Sequence, residues 1–191
     1  MRIFKTLSNS ELIKSLKDGQ VGVIPTDTIY GIVCIASNME SVTRLYSLKS
    51  RSNKPGTVIA ASINQLVELG IKRRYLKAVE QFWPGSVSIE IPHSLSYLNQ
   101  GTGRQAFRIP EDKVVRSLLE KVGPLQTTSA NLPNNPNANN IKEAQKYFGN
   151  LVDFYVDGGD LSGRPASTII RVIDDAVEII RQGATKIEGV S

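Results

Sequence analysis

Apolar and polar positions along this chain alternate between two periods, one typical of helices and one typical of buried strands. Apolar residues at three- and four-residue spacing predict helices at residues 10–17, 39–48, 75–83, 114–122 and 141–148. Apolar runs rich in β-branched residues predict strands at residues 21–24, 57–61, 87–91, 105–109, 125–128, 167–172 and 177–181. The last two form a predicted hairpin that turns at Asp174-Asp175. Several strands follow one another without a helix between them, so we expect an α/β fold with a mixed sheet, not a purely parallel one.

Composition excludes several classes of protein. The chain has 191 residues, 40% of them hydrophobic, which predicts a single globular domain over residues 1–191. Cys34 is the one cysteine and His93 the one histidine, so an internal disulfide is excluded and we expect no metal site built from protein ligands. We expect Cys34 to be buried and His93 to lie in a surface loop without a role. No apolar run approaches the roughly 18 residues of a membrane span and no signal peptide is visible, so we expect a cytoplasmic protein that does not contact a membrane.

Charge gives the first positive indication of function. The 23 Lys and Arg residues exceed the 18 Asp and Glu residues, for a net charge of +5. A basic excess of this size suits either nucleic acid or a polyanion such as ATP. The run Lys72-Arg73-Arg74 with Lys77 is compatible with a solvated helix face and with an RNA contact.

The densest cluster of polar side chains follows the first predicted strand, in the segment Pro25-Thr26-Asp27-Thr28-Ile29-Tyr30-Gly31. Hydroxyl, carboxylate and phenol groups at a strand end can line a pocket at the edge of a sheet. They can equally cap the backbone of a turn. The chain carries no G-x-x-x-x-G-K-[ST] motif, so a nucleotide would have to bind through a frame other than a P-loop.

Three cations follow the second predicted helix, at Lys49, Arg51 and Lys54. Cations at this position are stabilised by the negative end of the helix dipole. They are also suited to clamp phosphate, because a guanidinium offers a planar fork of donors and an ammonium a point charge. Both interpretations remain open at this stage.

Further polar groups recur at later strand ends. They are Arg108 before Pro110, the run Thr127-Thr128-Ser129-Ala130-Asn131, the pair Ser167-Thr168, and Arg181 before Gly183. Each of these motifs alone is weak evidence for a function. In this order and spacing, together with the segments at residues 25–31 and 49–54, they resemble the YrdC-like family, in particular its short threonylcarbamoyl-AMP synthases. The resemblance covers residues 10–185, nearly the whole chain.

The resemblance implies a twisted mixed sheet with flanking helices and a concave basic face. It also implies a nucleotidyltransferase that joins L-threonine, bicarbonate and ATP into threonylcarbamoyl-AMP and releases pyrophosphate. Mg²⁺ would be carried mainly by the ATP, with no organic cofactor. A threonylcarbamoyl transferase complex would then modify the adenosine beside the anticodon of tRNA.

Residue by residue, the resemblance assigns L-threonine to Thr26, Thr28, Tyr30, Arg108 and Ser167. It assigns ATP to Arg51, Lys54, Ser129, Asn131 and Arg181, and the catalytic phosphate contacts to Lys49, Arg51 and Lys54. The stretch between Lys49 and Lys54 is one residue shorter than the family pattern, which leaves open which of these two lysines reaches the phosphates. After Asn131, residues 132–135 replace the Ser-Gly that is common in the family.

Two other functions stay open. One is a non-catalytic factor on the same fold that binds tRNA or another double-stranded RNA, or that assists ribosome assembly. The other is a relative that makes a carbamoyl-adenylate from carbamoyl phosphate for maturation of a metal centre. Dependence on L-threonine would separate the synthase from the second alternative.

Overall fold

The architecture is described from a computed structural model, over residues 1–50, 53–173 and 176–187. The helices of this part are α1 (Ser10–Lys17), α2 (Met39–Leu48), α3 (Ile63–Glu68), α4 (Arg73–Lys77), α5 (Ser96–Asn99), α6 (Lys113–Val122) and α7 (Ile141–Phe148). The strands are β1 (Arg2–Phe4), β2 (Gly22–Pro25), β3 (Tyr30–Ile35), β4 (Thr57–Ile59), β5 (Val87–Pro92), β6 (Arg104–Arg108), β7 (Leu125–Ser129), β8 (Phe154–Val156), β9 (Thr168–Ile173) and β10 (Ala176–Arg181). None of the helices in these ranges is long and apolar enough to cross a membrane.

The described strands form one sheet in the order β1-β8-β2-β3-β7-β4-β6-β5-β9-β10. The pairs β1/β8, β2/β8, β4/β6 and β5/β9 are parallel. The pairs β2/β3, β3/β7, β4/β7, β5/β6 and β9/β10 are antiparallel. The predicted mixed α/β sheet with flanking helices is therefore confirmed.

Strand alternation divides the core into two layers. Because successive side chains point to opposite faces, Ile32 and Cys34 join the larger core on one face, whereas Val33 joins the smaller core on the other. Helices α2, α3, α4, α5 and α7 contribute buried apolar residues to the larger core. Helices α1 and α6 pack together over the smaller one. Cys34 is buried as expected, and burial raises the pKa of its thiol.

The layer formed by α1 and α6 covers only part of its face of the sheet. Ile59 of β4 and Leu125 of β7 are paired across the strands and buried in the smaller core. Two residues along the same strands and on the same face, Thr57 pairs with Thr127, and this pair lines an open cavity. The uncovered remainder of this face therefore provides the floor of the candidate site.

Local sequence signals account for the helices that were predicted correctly. Helices α1, α2 and α7 begin where an asparagine side chain (Asn9, Asn38 or Asn140) accepts hydrogen bonds from backbone N–H groups of the first turn. In α6 the same role falls to Asp112. The predicted boundaries of α1, α2 and α7 agree with the structure.

Two predictions are wrong in this region of the fold. Residues 75–83 do not form one helix, because the backbone N–H groups of Val79 and Phe82 bond three residues back and divide the segment into α4 and a 3₁₀ turn. His93 is buried, not in an exposed loop: its ring lies edge-on to Phe107. Burial lowers the pKa of His93 from its ordinary value of 6.5. Strands β1, β3 and β8 and helices α3 and α5 are additional to the predicted elements, and the turn of the β9/β10 hairpin lies outside the described residues.

Candidate functional site

The uncovered face of the sheet carries a concave, open cavity of about 700 Å³. The predicted L-threonine residues all line it: Thr26, Thr28, Tyr30, Arg108 and Ser167. Ser129 and Arg181, predicted to contact the nucleotide, line it as well. The structure thus brings together groups that lie up to 155 residues apart in the chain.

The turn over residues 26–29 supplies the hydroxyl groups of this cavity. Strands β2 and β3 are an antiparallel pair whose last partners are Pro25 and Tyr30. The Thr26 hydroxyl donates to the carbonyl of Ile29 at 2.6 Å and accepts from the backbone N–H of Thr28 at 3.2 Å. Thr26 therefore closes the turn, and the turn holds the Thr28 hydroxyl 3.2 Å from that of Thr26.

Tyr30 lines the cavity and uses its hydroxyl to fix a neighbouring segment. The hydroxyl donates to the carbonyl of Gly159 and accepts from the N–H of Gly158, both at 2.8 Å. Burial raises the pKa of Tyr30 above its ordinary value of 10.0, so the phenol stays protonated at neutral pH. The same segment contains Asp157 and Asp160, and among the described residues no group of three His, Cys, Asp or Glu side chains could hold a metal ion.

Arg108 forms a buried ion pair that the motif analysis missed. The Nη1 group of Arg108 donates to both carboxylate oxygens of Asp27, and the two side chains are 4% and 5% exposed. Asp27 lies between Thr26 and Thr28 in the turn. Roles were predicted for the two neighbouring hydroxyls, but no partner was predicted for the Asp27 carboxylate. The position of Asp27 between two predicted site residues was the available sequence signal that it belongs to the site. Its partner could not be predicted, because Arg108 is 81 positions away in the chain.

Ser167 accepts hydrogen bonds from two sides. The hydroxyl of Ser88, a fully buried residue of β5, donates to the Ser167 hydroxyl at 2.9 Å. Arg181 donates from Nη2 to the Ser167 carbonyl at 2.7 Å and to its hydroxyl at 3.3 Å. Because a hydroxyl oxygen that accepts twice keeps its own hydrogen for another partner, Ser167 can donate to a ligand in the cavity. Ser88 is a second residue that sequence reasoning missed.

A second cavity, of about 780 Å³, adjoins the first through Ser129, which lines both. Its described lining consists of Lys49, Ser50, Lys54, Ser129, Asn131, Pro133 and Asn134. It therefore contains Lys49 and Lys54 of the predicted phosphate clamp and Ser129 and Asn131 of the predicted ATP site. Arg51, predicted for both roles, lies outside the described residues.

The two lysines of this cavity differ in environment. Lys49 is 3% exposed, and its ammonium donates to the carbonyl of Ser129 at 2.7 Å, to the Asn131 side-chain oxygen at 2.7 Å and to the Asn131 carbonyl. Lys54 is exposed, and its backbone N–H donates to Gln100 at 2.8 Å. Lys49 thus holds the end of β7 in position, whereas the Lys54 side chain is accessible to a ligand.

The amide of Asn131 shapes the loop that follows β7. Its oxygen accepts from the Ser129 hydroxyl at 2.7 Å as well as from Lys49, and its nitrogen donates to the carbonyl of Asn135 at 2.6 Å. Residues 132–135, which replace the Ser-Gly common in the family, are thus hydrogen-bonded to Asn131 through the carbonyl of Asn135. The predicted contact of Asn131 with nucleotide remains a prediction.

The described residues of the two cavities carry an excess of positive charge. Their lining contains the cations Lys49, Lys54, Arg108 and Arg181 and one carboxylate, Glu90, and the excess remains when Arg108 is counted as neutralised by Asp27. Glu90 accepts from Nε and Nη2 of Arg171 at 3.0 and 2.6 Å. A surface of this charge and concave shape is suited to bind a polyanion.

Comparison with known proteins places the chain in a family and finds named relatives. The family model for Sua5, YciO and YrdC proteins, described as telomere recombination, matches residues 14–183. The chain is 32% identical over 181 residues to a putative threonylcarbamoyl-AMP synthase of Mycobacterium leprae, covering 92% of this chain and 82% of that one. It is 32% identical over 176 residues to a threonylcarbamoyl-AMP synthase of Pseudomonas entomophila, covering 89% and 94%.

Solved structures agree in fold. The crystal structure of Pyrococcus abyssi Sua5 complexed with L-threonine superposes with a TM-score of 0.84 at 23% identity and covers 96% of this chain, which spans 58% of that one. Escherichia coli YciO superposes with a TM-score of 0.83 at 19% identity, covering 98% of both chains. With the family model matched over most of its length, the chain belongs to the Sua5/YciO/YrdC family.

Proposed function

We propose that this protein is an L-threonylcarbamoyl-AMP synthase that uses L-threonine, bicarbonate and ATP. One observation carries the proposal: the residues predicted to bind L-threonine and the described residues predicted to bind ATP line two cavities that share Ser129. Relatives about one third identical over most of the chain are named for this activity. The reaction class is that of a nucleotidyltransferase.

The chemistry needs two bond-forming steps. The amine nitrogen of L-threonine attacks the bicarbonate carbon, and water leaves to give a carbamate. A carbamate oxygen then attacks the α-phosphorus of ATP, and pyrophosphate leaves. Neither step requires a protein nucleophile, so the contribution of the protein is to hold the reacting groups together and to stabilise charge on the phosphates.

The described side chains suit these tasks. In the first cavity, Arg108 would bind the carboxylate of L-threonine, and Thr28 and Ser167 would contact its remaining polar groups. In the second cavity, Lys54 would lie against the phosphates, together with Arg51 of the undescribed stretch. The ammonium of Lys49 would act through the end of β7 that it holds.

Mg²⁺ is proposed to arrive with the nucleotide. The described lining of the second cavity contains hydroxyl, amide and ammonium groups and no carboxylate. Mg²⁺ commonly keeps several waters and binds substrate phosphates, which fits such a lining. When bound, the ion would neutralise charge on the triphosphate, while Lys54 orients it.

The product would pass to a threonylcarbamoyl transferase complex that modifies tRNA beside the anticodon. We infer a cytoplasmic location from this role, because ATP, L-threonine and tRNA occur there. A direct contact with RNA through the exposed cations of α4 stays a prediction.

The proposal is tested by pyrophosphate release from ATP and bicarbonate, with and without L-threonine. Release is expected only with L-threonine, and Lys54→Ala is expected to weaken it. Lys72→Ala is the matched control, because Lys72 is also an exposed lysine but lines neither cavity. Release that needs no L-threonine would point to another acceptor, and a folded protein without any release would favour an RNA-binding role.

A further inference from the structure

The Arg108 guanidinium presents two different edges to its surroundings. Its Nη1 group donates to both oxygens of the buried Asp27 carboxylate. Its Nε group is also buried, yet has no hydrogen-bond partner among the described residues. Because a buried donor without an acceptor destabilises the fold, this nitrogen points to an acceptor that arrives with a ligand.

Arg108 and its ion-pair partner differ in their relation to the first cavity. Arg108 lines this cavity, whereas Asp27 is absent from the described lining. A guanidinium binds a carboxylate best through two parallel N–H groups on one edge. With Nη1 bound to Asp27, the edge formed by Nε and Nη2 is the one suited to a second carboxylate.

We propose that Asp27 is a positioning residue that holds the Arg108 guanidinium with its Nε edge toward the cavity, where it receives the carboxylate of the amino-acid substrate. The inference rests on the proposed function and names a residue that the motif comparison did not assign. Asp27 acts through Arg108 and does not itself contact the substrate.

The position of Asp27 affects how Arg108 can bind a substrate. Arginine has a long side chain with many rotamers, and the ion pair removes this freedom before the substrate arrives. Asp27 also belongs to the same turn as Thr28, so one turn sets both the carboxylate contact and the hydroxyl contact. Because the Asp27–Arg108 pair is neutral as a whole, the affinity for a second carboxylate comes from oriented donors more than from net charge.

The test compares L-threonine with L-threoninol, in which a hydroxymethyl group replaces the carboxylate. Binding of each to the full chain is measured by titration calorimetry. The wild-type protein is expected to prefer L-threonine by about 10- to 100-fold, the range that one charge-assisted contact supplies. In Asp27→Ala this preference is expected to fall at least about fivefold, because the guanidinium loses its orientation. Asp27→Asn, which keeps the shape and one acceptor, is expected to lie between them and serves if the alanine variant does not fold.

Two controls separate positioning from a general loss of structure. Asp112→Ala removes the carboxylate that caps α6, accepting from Val114 and Val115, away from both cavities. It is expected to lower the stability of the fold, because α6 loses its cap, and to leave the preference for L-threonine unchanged. In an Arg108→Ala background, Asp27→Ala is expected to have no further effect on the preference, since the two residues act as one unit.

The outcomes distinguish this inference from the proposed function. An unchanged preference in both Asp27 variants, or tighter L-threonine binding, would overturn the role of Asp27 and leave the synthase intact. A wild-type protein that binds L-threoninol as well as L-threonine would overturn the role of Asp27 together with the carboxylate contact of Arg108. Threonine-dependent pyrophosphate release would then still decide the proposed function independently.

Discussion

Lys49 and Lys54 flank the undescribed residues 51 and 52, and they are expected to respond to substitution in different ways. Lys49→Met keeps an unbranched apolar stem but removes an ammonium that donates to three oxygens at the end of β7 and in the loop after it. Hydrogen bonds to charged groups contribute about 1.5–3 kcal/mol each. Burying one ammonium costs several kcal/mol, so the net loss of stability in this variant is expected to be about 3 kcal/mol.

This loss is measured by urea unfolding, followed by the fluorescence of Trp83, the one tryptophan of the chain. For a chain of this size, 3 kcal/mol corresponds to a fall in Tm of about 6–12 °C. The slope of the unfolding free energy against urea should stay constant, since the surface exposed on unfolding is the same. A loss below about 1 kcal/mol would refute the argument that buried contacts of Lys49 stabilise the β7 end.

Lys54→Met supplies the contrast, because the Lys54 side chain is exposed and its described hydrogen bond to Gln100 comes from the backbone. Its stability is expected to stay within about 0.5 kcal/mol of the wild type. Its affinity for ATP, measured by calorimetry, is expected to fall about 10- to 100-fold if the ammonium contacts phosphate. Unchanged affinity would remove Lys54 from the phosphate clamp and leave Lys49 and Arg51 as its predicted cations.

Three further changes probe the walls of the site and the core. Tyr30→Phe removes two hydrogen bonds to backbone residues 158–159 and is expected to cost about 2 kcal/mol in urea unfolding; a cost below 0.5 kcal/mol would contradict this. Gly56→Ala would bring a Cβ within 2.2 Å of the Thr127 carbonyl, so a loss of at least about 2 kcal/mol is expected, and wild-type stability would be inconsistent with this packing. His93 is held neutral by burial, which lowers its pKa from 6.5, whereas the unfolded chain binds a proton near that pH. The contribution of neutral His93 to stability is therefore expected to be complete above pH 6.5 and to decrease as the pH falls through 6.5 toward the lowered pKa. A His93→Asn variant whose stability depends on pH in the same way would refute the assignment of this dependence to His93.

Local sequence was sufficient for much of the secondary structure. Residues 10–17, 39–48 and 141–148 form the helices that their apolar spacing predicts. A helix is stabilised by contacts within one or two turns and by its caps, so its signal is local. Residues 75–83 have the same spacing but divide into two short turns, because packing of the segment overrides a weak local preference.

The motifs predicted which residue types meet in the cavities, and tertiary structure decided how each is used. Strand order, which local sequence does not encode, brings Asp27 against Arg108 and Lys49 against Asn131 across about 80 positions. His93 likewise became a core residue through contact with Phe107 on a neighbouring strand. The sequence by itself therefore determined the fold class, the helices α1, α2 and α7, and most of the chemical groups at the site. Only the fold decided which charges are paired, buried or open to a ligand, because burial and pairing depend on neighbours from distant parts of the chain.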